Sequence, residues 1–168
     1  MNVGNLAIAV FERGDAGEAA LLFEEALALA RSEGDGVLVS QTLTRKGQTE
    51  CRNGELESAQ ASLRESITIA HGLADPLTTI LALGRFAELA LSRQAPSQAV
   101  TLWGAVARLR DETGETLVPQ ALHEENALAQ TRLSLGDDAF ELARREGRAM
   151  NLDESVRYAL EGPKPHGT

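Results

Sequence analysis

Apolar residues recur along most of the chain at steps of three and four, which is the spacing of one face of an α-helix. In the first clear stretch these positions are Ala19, Leu22, Phe23, Ala26, Leu27 and Ala30. Short polar segments such as Gly14-Asp15 and Asn53-Gly54 separate the periodic stretches and can end one helix and cap the next. The pattern therefore predicts an all-α fold of antiparallel helix pairs, with about nine helices.

The helix pairs repeat along the chain with a period of 40 residues, seen first in Ala19, Ala59 and Ala99. Several other columns keep their size class at this period: Leu6-Ala7, Lys46-Gly47 and Phe86-Ala87; Phe23, Leu63 and Trp103; Leu27, Ile67 and Ala107; Leu29, Ile69 and Leu109. We therefore expect one helical-repeat domain over residues 1–161. Its repeats span about 1–35, 36–75 and 76–115, with a degenerate fourth over 116–161 and a disordered tail over 162–168.

Small residues stand where the two helices of each repeat are expected to cross. The predicted crossing pairs are Ala7 with Ala19, Gly47 with Ala59, and Ala87 with Ala99. Small side chains let helix backbones approach closely, and the larger Phe23, Leu63 and Trp103 then fill the space beside each crossing.

The fourth unit is marked by turn and capping residues. Pro119 is expected to open a helix running to about Ser134, with the apolar stripe Leu122, Ala127, Leu133 and Leu135. Gly136-Asp137-Asp138 is expected to form the next turn, before a short helix that begins with Phe140, Leu142 and Ala143. Asn151 and Glu154 resemble a capping box for a last helix that ends near Leu160.

The order of a small residue, a Gly-Asp turn, an alanine, a bulky residue and another alanine resembles the tetratricopeptide repeat. That resemblance implies a right-handed superhelix of helix pairs that binds other proteins. The period departs from the family's usual length of about 34 residues. The column in which many such repeats carry a tyrosine holds Val10, Glu50 and Ala90 here.

Three C-terminal segments resemble the ends of large bacterial transcriptional regulators of the LuxR-like or NTPase type. They are residues 102–110, 135–140 and 146–156. The resemblance implies a sensor or partner-binding region of such a regulator. A Gly-Lys-Ser/Thr phosphate loop and a basic recognition helix do not occur in the sequence, so neither NTPase nor DNA-binding activity carries over to any residue.

Charge and composition narrow the classes of partner. The formal net charge of −9 provides no basic face for a nucleic acid, so no direct nucleic-acid binding is expected. No uncharged apolar run reaches the roughly 18 residues of a membrane span. The single cysteine, Cys51, cannot form an internal disulfide and fits a reducing cytoplasm, which is the expected location.

Candidate catalytic groups are scattered rather than clustered. His71, His123 and His166 lie far apart, and Cys51 has no histidine near it in the sequence. The acidic pairs Asp15/Glu18 and Asp137/Asp138 are interpreted as helix caps. We therefore expect no cofactor and no metal, and keep an enzyme only as a remote alternative.

Two surfaces are candidates for binding. In tetratricopeptide proteins the first helix of each pair lines a concave face, and the corresponding residues here are Gln41, Thr44, Gln48, Cys51, Arg52, Gly84, Glu88 and Leu91. The N-terminal helix is apolar nearly all round, and its proposed packing or dimer edge comprises Val3, Leu6, Ile8, Val10 and Phe11. The favoured function is a non-catalytic scaffold that binds a protein or peptide. The alternative is a self-assembling dimerisation module.

Overall fold

The backbone is described for residues 3–114 and 118–163 of the computed structural model, and side chains for the same residues except 3 and 118–123. Within these ranges the chain forms nine helices and no strand, as the sequence predicts. The helices are α1 (Val3–Glu12), α2 (Ala16–Ser32), α3 (Gly36–Arg52), α4 (Leu56–Gly72), α5 (Pro76–Ser92), α6 (Pro96–Thr113), α7 (Val118–Leu135), α8 (Asp137–Ala149) and α9 (Leu152–Glu161).

The first six helices are joined by turns with one shared backbone geometry. A residue of positive φ recurs every 20 residues, at Gly14, Gly34, Gly54, Ala74 and Gln94 between these helices and at Gly114 directly after α6. In the turns that lead into α2, α3 and α5, the next residue is an aspartate whose carboxylate accepts an N–H from the first helical turn, at 2.9–3.1 Å. The structural unit is therefore a single helix and turn of 20 residues, half of the period found in the sequence.

Two of these turn positions carry side chains that disfavour the left-handed conformation, Ala74 at φ 53° and Gln94 at φ 60°. Replacing either with glycine should stabilise the fold by roughly 0.5–1 kcal/mol, because relief of strain exceeds the added entropy of the unfolded chain. Urea unfolding measures the change. Gly54→Ala, at φ 82°, is the matched reverse substitution and should destabilise by about 1 kcal/mol. Equal stability of all three variants and the parent would contradict the assigned turn geometry.

The helices form two compact units, Met1–Arg85 and Phe86–Thr168, and the division falls inside the continuous helix α5. In the first unit α1 packs on α2 and α3, α2 on α3, and α3 on α4. In the second unit α6 packs on α7, α8 and α9. The antiparallel helix-pair architecture is therefore present, while the right-handed superhelix stays a prediction.

The predicted crossing of Gly47 with Ala59 is confirmed, and the other crossing alanines are buried. A Cβ placed on Gly47 would lie 3.3 Å from the backbone oxygen of Ala59 and 2.9 Å from Cδ2 of Leu63, so α3 and α4 approach as closely as the small residues allow. The alanines of the crossing columns and the bulky residues beside them are all at most 3% exposed: Ala7, Ala19, Ala59, Ala87, Ala99, Phe23, Leu63 and Trp103.

The second unit departs from the repeat because α8 packs chiefly on α6. Two glycines make this crossing possible. A Cβ on Gly104 would lie 3.3 Å from the nitrogen of Arg148, and one on Gly147 would lie 2.9 Å from the nitrogen of Ala105. Backbone therefore meets backbone at this crossing. Phe140 and Ala143 of α8 pack with Val100 of α6, and Leu128 and Leu135 of α7 border the cluster.

The predicted apolar stripe of α7 is wrong in one position, because Leu133 is 87% exposed. Ala127 and Leu135 are half-buried, and the side chain of Leu122 lies outside the described residues. Leu142 of α8 is also exposed, at 56%. Leu142 is exposed because the buried face of α8 packs on α6 at the glycine crossing, and Leu142 lies on the opposite side of the helix.

The helix ends in this region follow the prediction closely. The helix expected from Pro119 to about Ser134 spans Val118–Leu135, and the turn at Gly136 precedes α8. Asn151 and Glu154 form a complete capping box, with bonds of 2.9 Å and 2.8 Å. The proposed tail is described only as far as residue 163, and the rest of it lies outside the described residues.

Candidate functional site

The predicted partner-binding residues of α3 occupy different environments. Gln41, Gln48 and Cys51 are half-buried, Arg52 is exposed, and Thr44 is 6% exposed. Their spacing of three, four and seven residues places them along one side of the helix. Of these side chains, Arg52 is therefore the most exposed, and those of Gln41 and Gln48 are partly accessible to a partner.

Thr44 does not contribute to this surface. Its hydroxyl donates to the carbonyl of Ser40 at 3.0 Å and lies 2.6 Å from the hydroxyl of Ser66 on α4. The Ser66 hydroxyl also bonds the Ser40 carbonyl, at 2.7 Å. A threonine in this position ties α3 to α4, because buried hydroxyls need partners inside the protein.

The amides of Gln41 and Gln48 differ from Thr44 in having no internal role. Neither side chain makes a hydrogen bond with any residue in the described ranges. Each amide offers two N–H donors and a carbonyl acceptor. The two side chains are seven residues apart and thus lie about two turns from each other on one helix face, within reach of the backbone of one extended peptide.

Arg52 closes this line of residues at the C-terminal end of α3. Its guanidinium lies 5.4 Å from the centre of the Phe11 ring and 3.9 Å from the carboxylate of Glu12. Arg52 and Glu12 are both exposed, so the ion pair contributes little to stability. The guanidinium of Arg52 lies over the face of the Phe11 ring in a cation–π contact.

The predicted face on α5 is only partly open. Gly84 is buried, whereas Glu88 and Leu91 are half-buried. The three positions share one side of α5 by their spacing, but Gly84 belongs to the first compact unit and the other two belong to the second. Gly84 therefore offers no accessible surface to a partner.

The proposed dimer edge on α1 is mostly turned into its own unit. Val10 is 2% exposed, and Leu6, Ile8 and Phe11 are half-buried. The outward line of α1 consists of Asn5, Ala9 and Glu12, and the side chain of Val3 lies outside the described residues. Among the described residues, no large apolar side chain of α1 is classed as exposed. Helices α2 and α3 cover one side of α1, and the packing or dimer edge stays a prediction.

Charged residues near the C-terminal end of α3 form a buried network that was not predicted from the sequence. Glu50 is 8% exposed and accepts hydrogen bonds from Ser62, at 2.7 Å, and from Ser58. Lys46 lies 3.1 Å from Glu50 and 3.2 Å from Glu24 of α2. The network thus joins α2, α3 and α4. The signal in the sequence was Glu50 itself, because the same column holds the apolar Val10 and Ala90.

Lys46 remains charged within this network. Burial pushes the pKa of Lys46 downward, but hydrogen bonds and charge attraction to Glu50 and then Glu24 outweigh it and hold the pKa above the ordinary 10.5. Beside the network is a cavity of about 40 Å³, bordered by Phe11, Phe23 and Thr49. This is the space of about one water, far below the several hundred Å³ of a small-molecule site.

The remaining candidate chemistry has structural roles or none that the structure describes. Asp15 caps α2 through the backbone N–H of Glu18, as predicted. The cap expected from Asp137 and Asp138 is wrong, because Gly136 is the N-cap of α8 and Asp137 pairs with Arg132 at 2.5 Å. The side chains of His123 and His166 lie outside the described residues. Within the described side chains, no group of three or more His, Cys, Asp or Glu residues is arranged to hold a metal ion.

Within the described residues, none of the helices combines the length and the hydropathy that a membrane span requires. Comparison with protein-family models, with curated proteins and with solved structures finds no match for the chain.

Proposed function

We propose that this chain is a non-catalytic scaffold that binds an extended segment of a partner protein along α3. The observation that carries the proposal is the pair of side chains Gln41 and Gln48. Both amides lie on one helix face without a partner among the described residues, while the neighbouring Thr44 is bonded inside the fold. Amide side chains can satisfy the N–H and C=O groups of an extended peptide backbone, whatever its sequence.

The fold supports this reading. The 20-residue units present one helix after another with the same turn, and stacked helices of this kind expose extended surfaces suited to chain-like partners. The charge network at Glu50 joins the end of α3 to α2 and α4 through residues that are separate from the binding residues. A preformed surface reduces the entropy lost on binding.

We further propose that the scaffold is the partner-binding region of a bacterial signalling or transcriptional regulator. This finer assignment rests on the resemblance of residues 102–110, 135–140 and 146–156 to the ends of such regulators, and on the repeat pattern. The single Cys51 fits a reducing cytoplasm.

The test is a selection of random peptides displayed on phage against the purified full chain, followed by fluorescence anisotropy of each selected peptide. The double variant Gln41→Ala/Gln48→Ala should weaken binding about tenfold, since each lost hydrogen bond contributes roughly 0.5–1.5 kcal/mol. The matched control is Gln130→Ala, an exposed glutamine on α7, which should leave the dissociation constant unchanged.

Two results would refute the proposal. One is a selection that yields no peptide with saturable binding. The other is a set of peptides whose affinity is the same for the double variant, the Gln130→Ala control and the parent chain. Circular dichroism on each variant checks that the helices are retained, which is expected because alanine is the best helix former.

A further inference from the structure

The C-terminal half of α8 borders an open depression of about 460 Å³, lined by Glu141, Arg144, Arg145, Arg148 and Ala149. Three of these five residues are arginines, in a chain whose net charge is −9. Arginine presents its N–H groups in a planar fork that matches a carboxylate. The depression is thus a local positive surface on an acidic protein.

Acidic groups near the depression are already paired or point elsewhere. Glu141 lies 3.2 Å from Arg132, and Asp111 lies 2.8 Å from Arg148. Glu146 is exposed on α8 but does not line the depression. Arg144 and Arg145 have no carboxylate partner among the residues that the structure describes. Two guanidinium groups therefore remain available.

An exposed apolar side chain, Leu142, lies on the same side of α8 as Arg145, outside the lining of the depression. Leu142 is 56% exposed and precedes Arg145 by three residues, so the two side chains share one side of α8. Covering exposed apolar surface favours association, whereas an exposed ion pair contributes little. The combination favours a partner with both apolar and acidic residues.

We propose that this surface, formed by Leu142, Arg144, Arg145 and Arg148, binds an acidic peptide segment of a partner protein that also carries leucine-like side chains. The carboxylates of the segment pair with Arg144 and Arg145, and an apolar residue covers Leu142. The chain shows the expected geometry once within the second unit, where Arg110 holds Glu124 with two bonds of 2.5 Å and 2.9 Å. The charge complementarity selects carboxylates over basic segments.

This surface shares no residue with the α3 surface, so either proposal can fail while the other stands. The probe is a fluorescein-labelled peptide of repeating Leu-Glu-Glu triplets, titrated with the full chain and followed by anisotropy. A peptide of Leu-Gln-Gln triplets is the neutral control. The glutamate peptide should bind saturably and at least tenfold more tightly than the glutamine peptide at low ionic strength, where charge attraction is least screened.

The substitutions assign the site. Arg144→Ala/Arg145→Ala should weaken binding of the glutamate peptide about tenfold or more, because hydrogen bonds between charged groups are stronger than those between neutral groups. Leu142→Ala should weaken it severalfold. Arg157→Ala removes an exposed arginine of α9 outside the depression and should have no effect.

Four results would overturn the proposal: no saturable binding, equal binding of the glutamine peptide, equal weakening by Arg157→Ala, or displacement of the peptide by an equal concentration of inorganic phosphate. The last result would assign the arginines to a small anion instead. Loss of binding confined to Arg144→Ala/Arg145→Ala and Leu142→Ala would establish the surface.

Discussion

Gly147→Ala is expected to destabilise the protein by about 3 kcal/mol or more, the upper end of the cost of overpacking. The new methyl group would lie 2.8 Å from the carbonyl carbon of Thr101 and 2.9 Å from the nitrogen of Ala105, with the Thr101 oxygen nearer still. These atoms belong to the backbone of α6 and cannot rotate away. Helix propensity alone would favour alanine by about 1 kcal/mol, so the sign of the change in stability distinguishes overpacking at the crossing from helix propensity. Urea unfolding of Gly147→Ala and of the parent chain measures the change in stability.

The control for this substitution is Gly72→Ala in α4. A Cβ on Gly72 would meet no heavy atom within 4 Å, so the variant should be as stable as the parent or slightly more stable. If Gly147→Ala also proved neutral or stabilising, the close crossing of α6 and α8 would be wrong. The orientation of α8 on α6 would then be wrong, and Leu142 would no longer be expected on the exposed side of α8.

Glu50→Ala is expected to cost about 3 kcal/mol, the cost of breaking a buried ion pair. The substitution leaves Ser62 without its acceptor and Lys46 with only Glu24 as a partner. The side chains of Glu50 and Lys46 are 10% and 19% exposed, so water cannot readily replace the lost bonds. Thermal and urea unfolding measure the loss.

Two further variants show whether the loss of stability comes from breaking the buried ion pair. Glu25→Ala removes an exposed glutamate of α2 and should change stability by less than about 0.5 kcal/mol. Lys46→Leu/Glu50→Val gives the second repeat the residues found at Leu6 and Val10 of the first, and should recover much of the loss, because apolar replacement of a buried pair is often neutral. A loss below about 1 kcal/mol for Glu50→Ala would show that the network contributes little.

The fold could be predicted because local signals agreed with one another. The 40-residue columns located the crossings at Gly47 and Ala59, and the Gly-Asp turns located the helix ends within a few residues. Apolar spacing, capping residues and small residues are all short-range features that a sequence displays directly. The 20-residue unit was less visible, because Ala74 and Gln94 stand where glycines occupy the other turns.

The predictions that failed required knowledge of which helix covers which face. Thr44 lies on the predicted line of α3, yet Ser66 of the next helix bonds it, and only the helix crossing decides this. Leu133 fitted an apolar stripe but is exposed, because α8 packs on α6 through Gly104 and Gly147 instead of pairing mainly with α7. Periodicity indicates that a helix has an inner face but does not identify the neighbour.

The candidate site could be predicted only as a set of possible residues. Gln41 and Gln48 remain partly accessible, and Arg52 is exposed but already pairs with Glu12. Thr44 and Gly84 are buried. The network of Lys46 and Glu50 went unpredicted, since charged residues in an amphipathic helix are normally on its exposed side. An acidic residue in an otherwise apolar repeat column is a signal that could have identified it.

The most direct test of the account is hydrogen exchange, followed by mass spectrometry, of the full chain with and without a peptide selected by phage display. If α3 binds the partner segment, amides within Gly36–Arg52 should exchange more slowly in the complex, and the protection should disappear in Gln41→Ala/Gln48→Ala at the same peptide concentration. Protection confined to other helices, or protection that the double variant leaves unchanged, would contradict the claim that α3 is the binding surface.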